Sequence, residues 1–233
     1  MSEALSFPPL LTGRAVAGDP VAAAVRAAED GADPGLLLFD PHAGDLALAL
    51  VLAPEVPLAQ AAQMIPLGGV ALQNALGAIA PPEVGLELGW DGTLFVNGGK
   101  AGRVRLIAPT TDANAEAEWL VLAIDLAFEP RHDEGGAAPD ETALKAEGCG
   151  ELTPADLLES WSRHFLTQLH RWEEDGIAPL HREWTGLARG LGADMAVLGE
   201  TGYALGIDEA MGLLLKTGGT TKLLPLTRLL DTP

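Results

Sequence analysis

Three of the chain's 14 basic residues, Lys100, Arg103 and Arg105, lie within six positions of each other. The protein has 14 Lys and Arg against 33 Asp and Glu, a formal net charge of −19. A local concentration of positive charge in so acidic a chain can bind an anion. The alternative, which this stretch alone favours, is an edge strand whose charges discourage pairing with another sheet.

The flanking residues 86–107 predict two strands joined by a tight turn. Residues 94–96 are an apolar run, and Asn97-Gly98 supplies the two residues that tolerate positive φ in a hairpin. Val104 and Leu106 then alternate with the two arginines, which is the period of a strand. We therefore expect one face of this unit to be apolar and the other cationic.

Composition excludes several classes of protein. With 48% hydrophobic and 20% charged residues, the chain is predicted to be globular with a sizeable core. Its acidic balance argues against a nucleic-acid surface. A single cysteine, Cys149, excludes an intramolecular disulfide framework and a zinc cluster, which fits a reducing cytosol, and we interpret this thiol as an unreactive bystander.

Targeting and membrane segments are not predicted. Pro8-Pro9 interrupts the first apolar stretch, and no uninterrupted apolar run reaches the roughly 18–20 residues that cross a bilayer. We therefore expect a soluble, cytoplasmic protein with no membrane partner.

The remaining elements follow from caps, turn residues and periodicity. Asp19-Pro20 begins a helix that ends at Gly31, and Thr153-Pro154 begins one that ends at Gly176. The other predictions are strands at 36–39, 46–52 and 118–128, helices at 58–80 and 177–187, a loop at 129–150 with a short helix around 142–146, and short antiparallel strands after 193. In the helix over 58–80, Pro66, Gly68 and Gly69 predict either a kink or a close approach to a sheet.

Isolated polar residues are ambiguous. Asp125 lies inside an apolar strand, either at a functional site or, as we favour, on the solvent face. His42 is more simply a solvated loop histidine than a ligand or base. His164 and His170 are six residues apart and do not share the i, i+4 face of a helical metal pair, so no metal site is predicted.

Several segments, in the right order, resemble the biotin/lipoate protein ligase superfamily, and its biotin protein ligase branch in particular. Residues 44–54 are similar to the strand G-N-L-Y-x-S-L-L-L-R-P, and residues 90–102 to K-W-P-N-D-x-x-V-x-G-x-K-x-A-G. Residues 120–128 resemble V-x-G-I-G-I-N-V, and residues 206–214 resemble G-I-D-E-x-G-x-L-x. The resemblance implies an α+β fold related to class II aminoacyl-tRNA synthetases, a mixed sheet packed with helices in residues 1–190, followed by a small SH3-like β-barrel in residues 191–233.

The departures from the family pattern fall at its site. Family ligases carry a Gly/Arg-rich loop, G-R-G-R-x-G-R-x-W, where this chain has only residues 40–45. The lysine before the family tryptophan is Gly89, and the two Gly and the Asn of the later strand are Ala123, Asp125 and Ala127. Forming an acyl-adenylate develops charge at phosphorus that cationic donors normally offset. Lys100, Arg103 and Arg105 could partly replace those donors if they point into the pocket.

Three functions therefore remain open. The first, which we favour, is a biotin protein ligase-like protein with lost or altered ligase activity that binds a small carboxylic acid or a nucleotide-like ligand. The second is an active ligase, using ATP and magnesium to attach biotin or lipoate to a lysine of an acceptor protein, and the third is a non-catalytic interaction module. No catalytic residue is assigned, a homodimer is possible by resemblance, and the expected ligand-binding residues are Trp90, Asp91, Gly92, Lys100, Gly102, Arg103 and Arg105.

Overall fold

The computed structural model describes residues 5–130, 138 and 140–233. Its helices are α1 (Pro20–Glu29), α2 (Leu58–Ala61), α3 (Met64–Ile79), α4 (Pro154–Asp175) and α5 (Ile177–Leu187). Its strands are β1 (Thr12–Ala15), β2 (Leu36–Phe39), β3 (Leu46–Leu52), β4 (Leu86–Gly89), β5 (Thr93–Val96), β6 (Gly99–Ile107), β7 (Leu120–Leu126), β8 (Ala188–Arg189), β9 (Asp194–Val197), β10 (Glu200–Ile207), β11 (Leu213–Thr217), β12 (Thr220–Leu224) and β13 (Leu230–Asp231).

Local capping places the two helices that flank the main sheet. The Asp19 carboxylate accepts a hydrogen bond from the Val21 N–H at the start of α1. At the start of α4, Thr153 and Asp156 form a reciprocal capping box. These bonds satisfy N–H groups that the first helical turn leaves without partners. Both helix starts were predicted from the sequence and are confirmed.

The main sheet separates two cores. Its strands run in the order β1-β2-β3-β7-β6-β5-β4-β8, and β13 pairs with β6. The face that we call the inner face packs leucines of β3 and β7 against α3 and α4, with Trp161 of α4 fully buried between them. The opposite, outer face packs against α1 through a smaller apolar cluster that includes Ala49 and Val121. The mixed sheet with helices confirms the predicted α+β class.

The central stretch differs from its prediction. Residues 86–107 form three strands, β4, β5 and β6, rather than two, because Gly89 to Thr93 makes an additional turn. Asn97 has φ +47° and Gly98 φ +90°, as the predicted hairpin turn requires. The edge-strand interpretation is wrong, since β6 lies between β5 and β7.

Two helix predictions are also corrected. The helix predicted over residues 58–80 is divided into α2 and α3, and the break falls at residues 62–63 rather than at Pro66. The alternative, a close approach to the sheet, is confirmed, since a Cβ at Gly69 would lie 3.1 Å from the Leu88 side chain of β4. Pro66 lies in the first turn of α3, where its missing N–H removes no intrahelical hydrogen bond. Residues 144–148 form turns and not the predicted short helix, and part of the predicted loop over 129–150 lies outside the described residues.

The C-terminal strands form a second sheet, in the antiparallel order β12-β11-β10-β9, which fits the expected SH3-like region. Within the described residues β9 and β12 are outer strands, so the sheet is open rather than a closed barrel. Leu224, Leu226 and Leu229 are buried in the main core cluster. β13 then returns to the main sheet, a pairing that the sequence did not predict.

No helix in the described part of the chain is long and apolar enough to cross a membrane.

The Cys149 thiol is predicted to be unreactive in the folded protein. Its side chain is 2% exposed, burial raises the pKa of the thiol, and the negative charges of Glu83 and Glu147 raise it further. Because the thiolate is the reactive form, we expect a disulfide reagent to modify native Cys149 at least roughly tenfold more slowly than the urea-unfolded chain. Equal rates in the two states, followed by absorbance of the released thiolate, would contradict this expectation.

Candidate functional site

The three predicted basic residues lie on the same face of β6. In a regular strand, Lys100 and Arg103 would point to opposite faces because they are three residues apart. A register shift between Leu94 and Phe95 of β5 places two residues of β6 opposite one, a β-bulge that returns Lys100 to the face of Arg103 and Arg105. Since Arg105 pairs with Ala123 of the outer apolar cluster, this is the outer face of the sheet.

Arg105 has an ionic partner from the far end of the chain. Its guanidinium lies 3.6 Å from the Asp231 carboxylate, with side chains 33% and 41% exposed. The contact forms because β13 pairs in parallel with β6, which aligns Leu230 with Leu106 and Asp231 with Ile107. A pair this exposed contributes at most about 1 kcal/mol.

Arg103, like Lys100, is an available cation of the group. Both are exposed, and neither forms an ion pair with any residue in the ranges 5–130, 138 and 140–233. Directly across the ladder from Arg103 is Asp125, which is half-buried on the outer face and has an interaction of its own. The structure thus brings the carboxylate that interrupted the apolar strand next to the basic residues.

Arg189 of β8 contacts residues of both β4 and β5. Its guanidinium donates to the Glu87 carboxylate at 2.7 Å and lies 4.8 Å from the centre of the Phe95 ring. Phe95 is opposite Lys100 in the sheet. The backbone of Lys100 holds the segment that follows β7, because its N–H donates to Asp140 O at 2.7 Å and its carbonyl accepts from Thr142 at 2.8 Å. The backbone of Lys100 is therefore bonded to residues 140 and 142.

The expected ligand residues of the β4–β5 turn occupy a different environment. Trp90 is 2% exposed, and its indole N–H donates to the Met211 carbonyl at 2.8 Å, in the core beside the C-terminal sheet. The Asp91 carboxylate accepts from the Thr93 N–H at 3.1 Å, which closes the turn. Gly92 has φ +85°, and a Cβ there would lie 2.2 Å from the Val104 carbonyl oxygen. Their assignment to a ligand site stays a prediction.

Gly102 allows the close approach of β6 to β7. A Cβ at this position would lie 2.0 Å from the Asp125 carbonyl oxygen and 2.8 Å from the Leu126 Cα. Only a residue without a side chain fits so near another backbone. Gly102 therefore allows the backbones of β6 and β7 to lie close together beside Arg103.

A cavity of about 530 Å³ opens at the β2–β3 connection, between β1 and the N-terminal end of α4. Two carboxylates, Asp40 and Asp45, are the charged groups among its described lining residues. Asp40 accepts hydrogen bonds from the N–H groups of His42 (2.9 Å) and Gly18 (3.1 Å), which lower its pKa. Asp45 accepts from the Phe128 N–H at 2.8 Å, which ties the connection to the end of β7. The cavity is thus negatively charged at neutral pH, and the three cations of β6 do not line it.

The comparisons with known proteins now decide the family. A model described as the biotin/lipoate A/B protein ligase family matches residues 7–186. The chain belongs to this family. A second model, described as a domain of unknown function (DUF4444), matches residues 191–232. The recognition of a biotin protein ligase-like protein from the sequence is confirmed.

Three similar proteins each match more than three quarters of this chain. A biotin–[acetyl-CoA-carboxylase] ligase of Paracoccus denitrificans is 27% identical over 192 residues, 78% of each chain. A biotin protein ligase-like protein of unknown function from Silicibacter sp. TM1040 has a TM-score of 0.92 and 47% identity over 98% of this chain and 100% of that one. Biotin protein ligase from Aquifex aeolicus in complex with biotin and ATP has a TM-score of 0.69 at 17% identity, over 91% of this chain and 95% of that one, and shares the fold.

Against the family pattern, the notable feature is residues 40–45. This short connection between β2 and β3, which carries two carboxylates, lies where the resemblance places the Gly/Arg-rich loop of the family ligases.

Asp231 and Arg189 were not singled out in the sequence. Both act through contacts between residues more than 100 positions apart, for which a single sequence contains no local signal.

In the described part of the chain, no three His, Cys, Asp or Glu side chains are grouped so that they could hold a metal ion.

Proposed function

We propose that this protein is a biotin/lipoate ligase relative that binds a small carboxylic acid and does not activate it as an acyl-adenylate. The observation that supports this proposal most directly is the position of the cations. They lie on the outer face of β6, beside Asp125 and Asp231, whereas the charged residues that line the cavity at residues 40–45 are Asp40 and Asp45.

Electrostatics favours binding over activation. A carboxylate needs one or two cationic donors. Arg103 can supply one charge-assisted hydrogen bond, and Arg105 can supply a second if the ligand shares or replaces its exposed contact with Asp231. Adenylate formation also requires donors that converge on phosphate oxygens as charge develops there. Two ionised carboxylates in the cavity repel phosphate groups. Trp90, Asp91, Gly92 and Gly102 support the ligand indirectly in this proposal, by shaping the strands that present Arg103.

An active ATP-dependent biotin or lipoate ligase is the second candidate. It is favoured by the similarity to the Paracoccus denitrificans ligase over 78% of both chains. In that case biotin or lipoate, ATP and magnesium are the ligands, and a biotin or lipoyl acceptor protein is the partner. The cations of β6 would then contact the reacting groups.

Calorimetric titration with biotin, lipoate and octanoate, each with and without ATP and magnesium, separates the two candidates. We expect saturable binding of one acid, with a dissociation constant that ATP leaves within about twofold. No AMP or pyrophosphate is expected to form. Binding that ATP strengthens, together with release of pyrophosphate, would contradict the proposal and establish the ligase.

Reversing the charge at Arg103 is expected to weaken acid binding about tenfold or more, because a hydrogen bond from a charged donor to a carboxylate is lost and repulsion replaces it. Arg103→Lys, which keeps the charge, is expected to retain most of the affinity. Arg163→Glu is the matched control, since Arg163 is exposed on α4 and the substitution changes the net charge equally. Equal losses in Arg103→Glu and Arg163→Glu would show that net charge, and not this site, attracts the acid.

A further inference from the structure

A second concave surface lies at the other end of the main sheet from residues 40–45. We call it the apolar groove. It has a volume of about 420 Å³ and runs between the start of β2, the end of β3 and one side of α4. Its floor consists of buried side chains, among them Met64, Leu120 and Phe165. This volume lies within the range of about 300–1,000 Å³ that is usual for binding sites.

The walls of the apolar groove leave apolar surface in contact with water. Leu10 at its rim is 76% exposed, more than any other large hydrophobic side chain of the described residues. From α4, Leu166, Leu169 and Trp172 are half-buried at spacings that place them along one side of the helix. The Trp172 indole N–H donates to the Gln63 amide oxygen at 2.7 Å, which holds the ring in place. The groove is therefore preformed, and Leu10 in its lining leaves most of its apolar surface in contact with water.

The charged residues that line the groove are both acidic. Glu55 and Glu173 are exposed and pair with no cation in residues 5–130, 138 and 140–233. Of the charged residues next to lining segments, Asp33 and Glu118 are exposed and acidic, and the cationic Arg171 is paired with Asp175 and Glu183. An apolar ligand with a carboxylate is repelled by this rim, and a positively charged partner is attracted by it.

We propose that the apolar groove docks a protein segment that presents large apolar side chains flanked by lysine or arginine. The apolar side chains fill the cavity and cover Leu10, and the basic side chains pair with Glu55 and Glu173. A segment rather than a small molecule fits best because Leu10 lines the cavity and is still 76% exposed, so an occupant that covers this side chain must extend beyond the cavity. A few apolar anchors surrounded by weaker polar contacts are the usual composition of such an interface. This site is separate from the acid site on β6.

The test uses fluorescence anisotropy of three labelled synthetic peptides with the full-length protein. The first peptide repeats Lys-Leu-Leu-Lys, the second replaces each leucine with serine, and the third replaces each lysine with glutamate. We expect saturable binding of the first peptide alone. Equal binding of the serine peptide would mean that the peptide is attracted only by the negative charge of the protein. Equal binding of the glutamate peptide would mean that the acidic residues Glu55 and Glu173 do not contribute to binding. Either result, or no saturable binding of the first peptide, would overturn the proposal.

Two pairs of surface variants assign the binding to this groove. Leu10→Ser is expected to weaken peptide binding about tenfold, because the bound peptide loses its contact with the leucine side chain. The control is Leu223→Ser, at a leucine of β12 that is 51% exposed and lies outside the groove; its affinity is expected to stay within about twofold of the wild type. Glu173→Lys is expected to weaken binding about fivefold or more, and Glu174→Lys, which changes the net charge equally from the next position of α4, much less.

Equal effects within either pair would show that the peptide binds elsewhere and would overturn the proposal. The calorimetric titration with acids is expected to be unchanged in Leu10→Ser, so failure of the groove and failure of the acid site remain distinguishable.

Discussion

Replacing Trp90 by alanine is expected to lower the free energy of unfolding by about 3–5 kcal/mol, the range for truncating a buried tryptophan. The side chain is 2% exposed in the core cluster that joins the main sheet to the C-terminal region, and its N–H satisfies the Met211 carbonyl at 2.8 Å. Truncation leaves both a cavity and an unpaired buried acceptor. Urea denaturation followed by circular dichroism gives the change as a shift of the midpoint at an unchanged slope.

The conservative variant Trp90→Phe separates packing from hydrogen bonding. It keeps most of the apolar ring and loses only the N–H, so a smaller cost of about 1–3 kcal/mol is expected. If Trp90→Ala and Trp90→Phe lower the free energy of unfolding equally, the volume of the ring contributes little to stability and the packing argument is wrong. If both leave stability unchanged but abolish acid binding, Trp90 belongs to the ligand site in the way that the family resemblance first suggested.

Gly102→Ala is expected to destabilise the protein by about 3 kcal/mol or more, at the upper end of the cost of overpacking. The added Cβ would lie 2.0 Å from the Asp125 carbonyl oxygen, and that oxygen is backbone, not the movable end of a side chain. Relief requires β6 and β7 to separate at the position where Arg103 faces Asp125. The midpoint of thermal or urea unfolding measures the loss.

The matched control is Gly77→Ala. Gly77 is exposed within α3, and no atom beyond its chain neighbours and the nearby backbone of α3 lies within 4 Å of a Cβ built on it. Because alanine is the better helix former, this substitution is expected to stabilise the protein by up to about 1 kcal/mol. Opposite signs at the two glycines support the close approach of the strands. A Gly102→Ala protein as stable as the wild type would contradict it.

These structural effects determine which variants can report on ligand binding. Loss of acid binding in an unstable Trp90 or Gly102 variant does not separate a missing contact from a disturbed fold. Arg103 is exposed on β6, so replacing its side chain has little effect on packing. For this reason the functional proposal depends on Arg103 and its control Arg163. A glutamate in place of Arg103 faces Asp125 across the ladder, so the urea midpoint of Arg103→Glu is measured together with its acid binding.

Sequence alone determined the parts of this protein that depend on neighbouring residues. Asp19-Pro20 and Thr153-Pro154 begin α1 and α4 because the capping side chain and the N–H groups it accepts from are within three residues of each other. The apolar runs of β2, β3 and β7 were equally clear, since strands covered on both faces are continuously hydrophobic. The order of the family segments was enough to identify the fold.

Only the tertiary structure decided how the candidate site is assembled. The period of two predicted a common face for Arg103 and Arg105, but Lys100 joins them through a bulge that is set by pairing with β5. β6 is an interior strand, and Asp231 reaches Arg105 through β13, more than 100 residues away. Such pairings depend on which distant strands compete for the same hydrogen bonds, and a local pattern does not contain that information. The sequence thus identified the basic residues, and long-range strand pairing determined what they face.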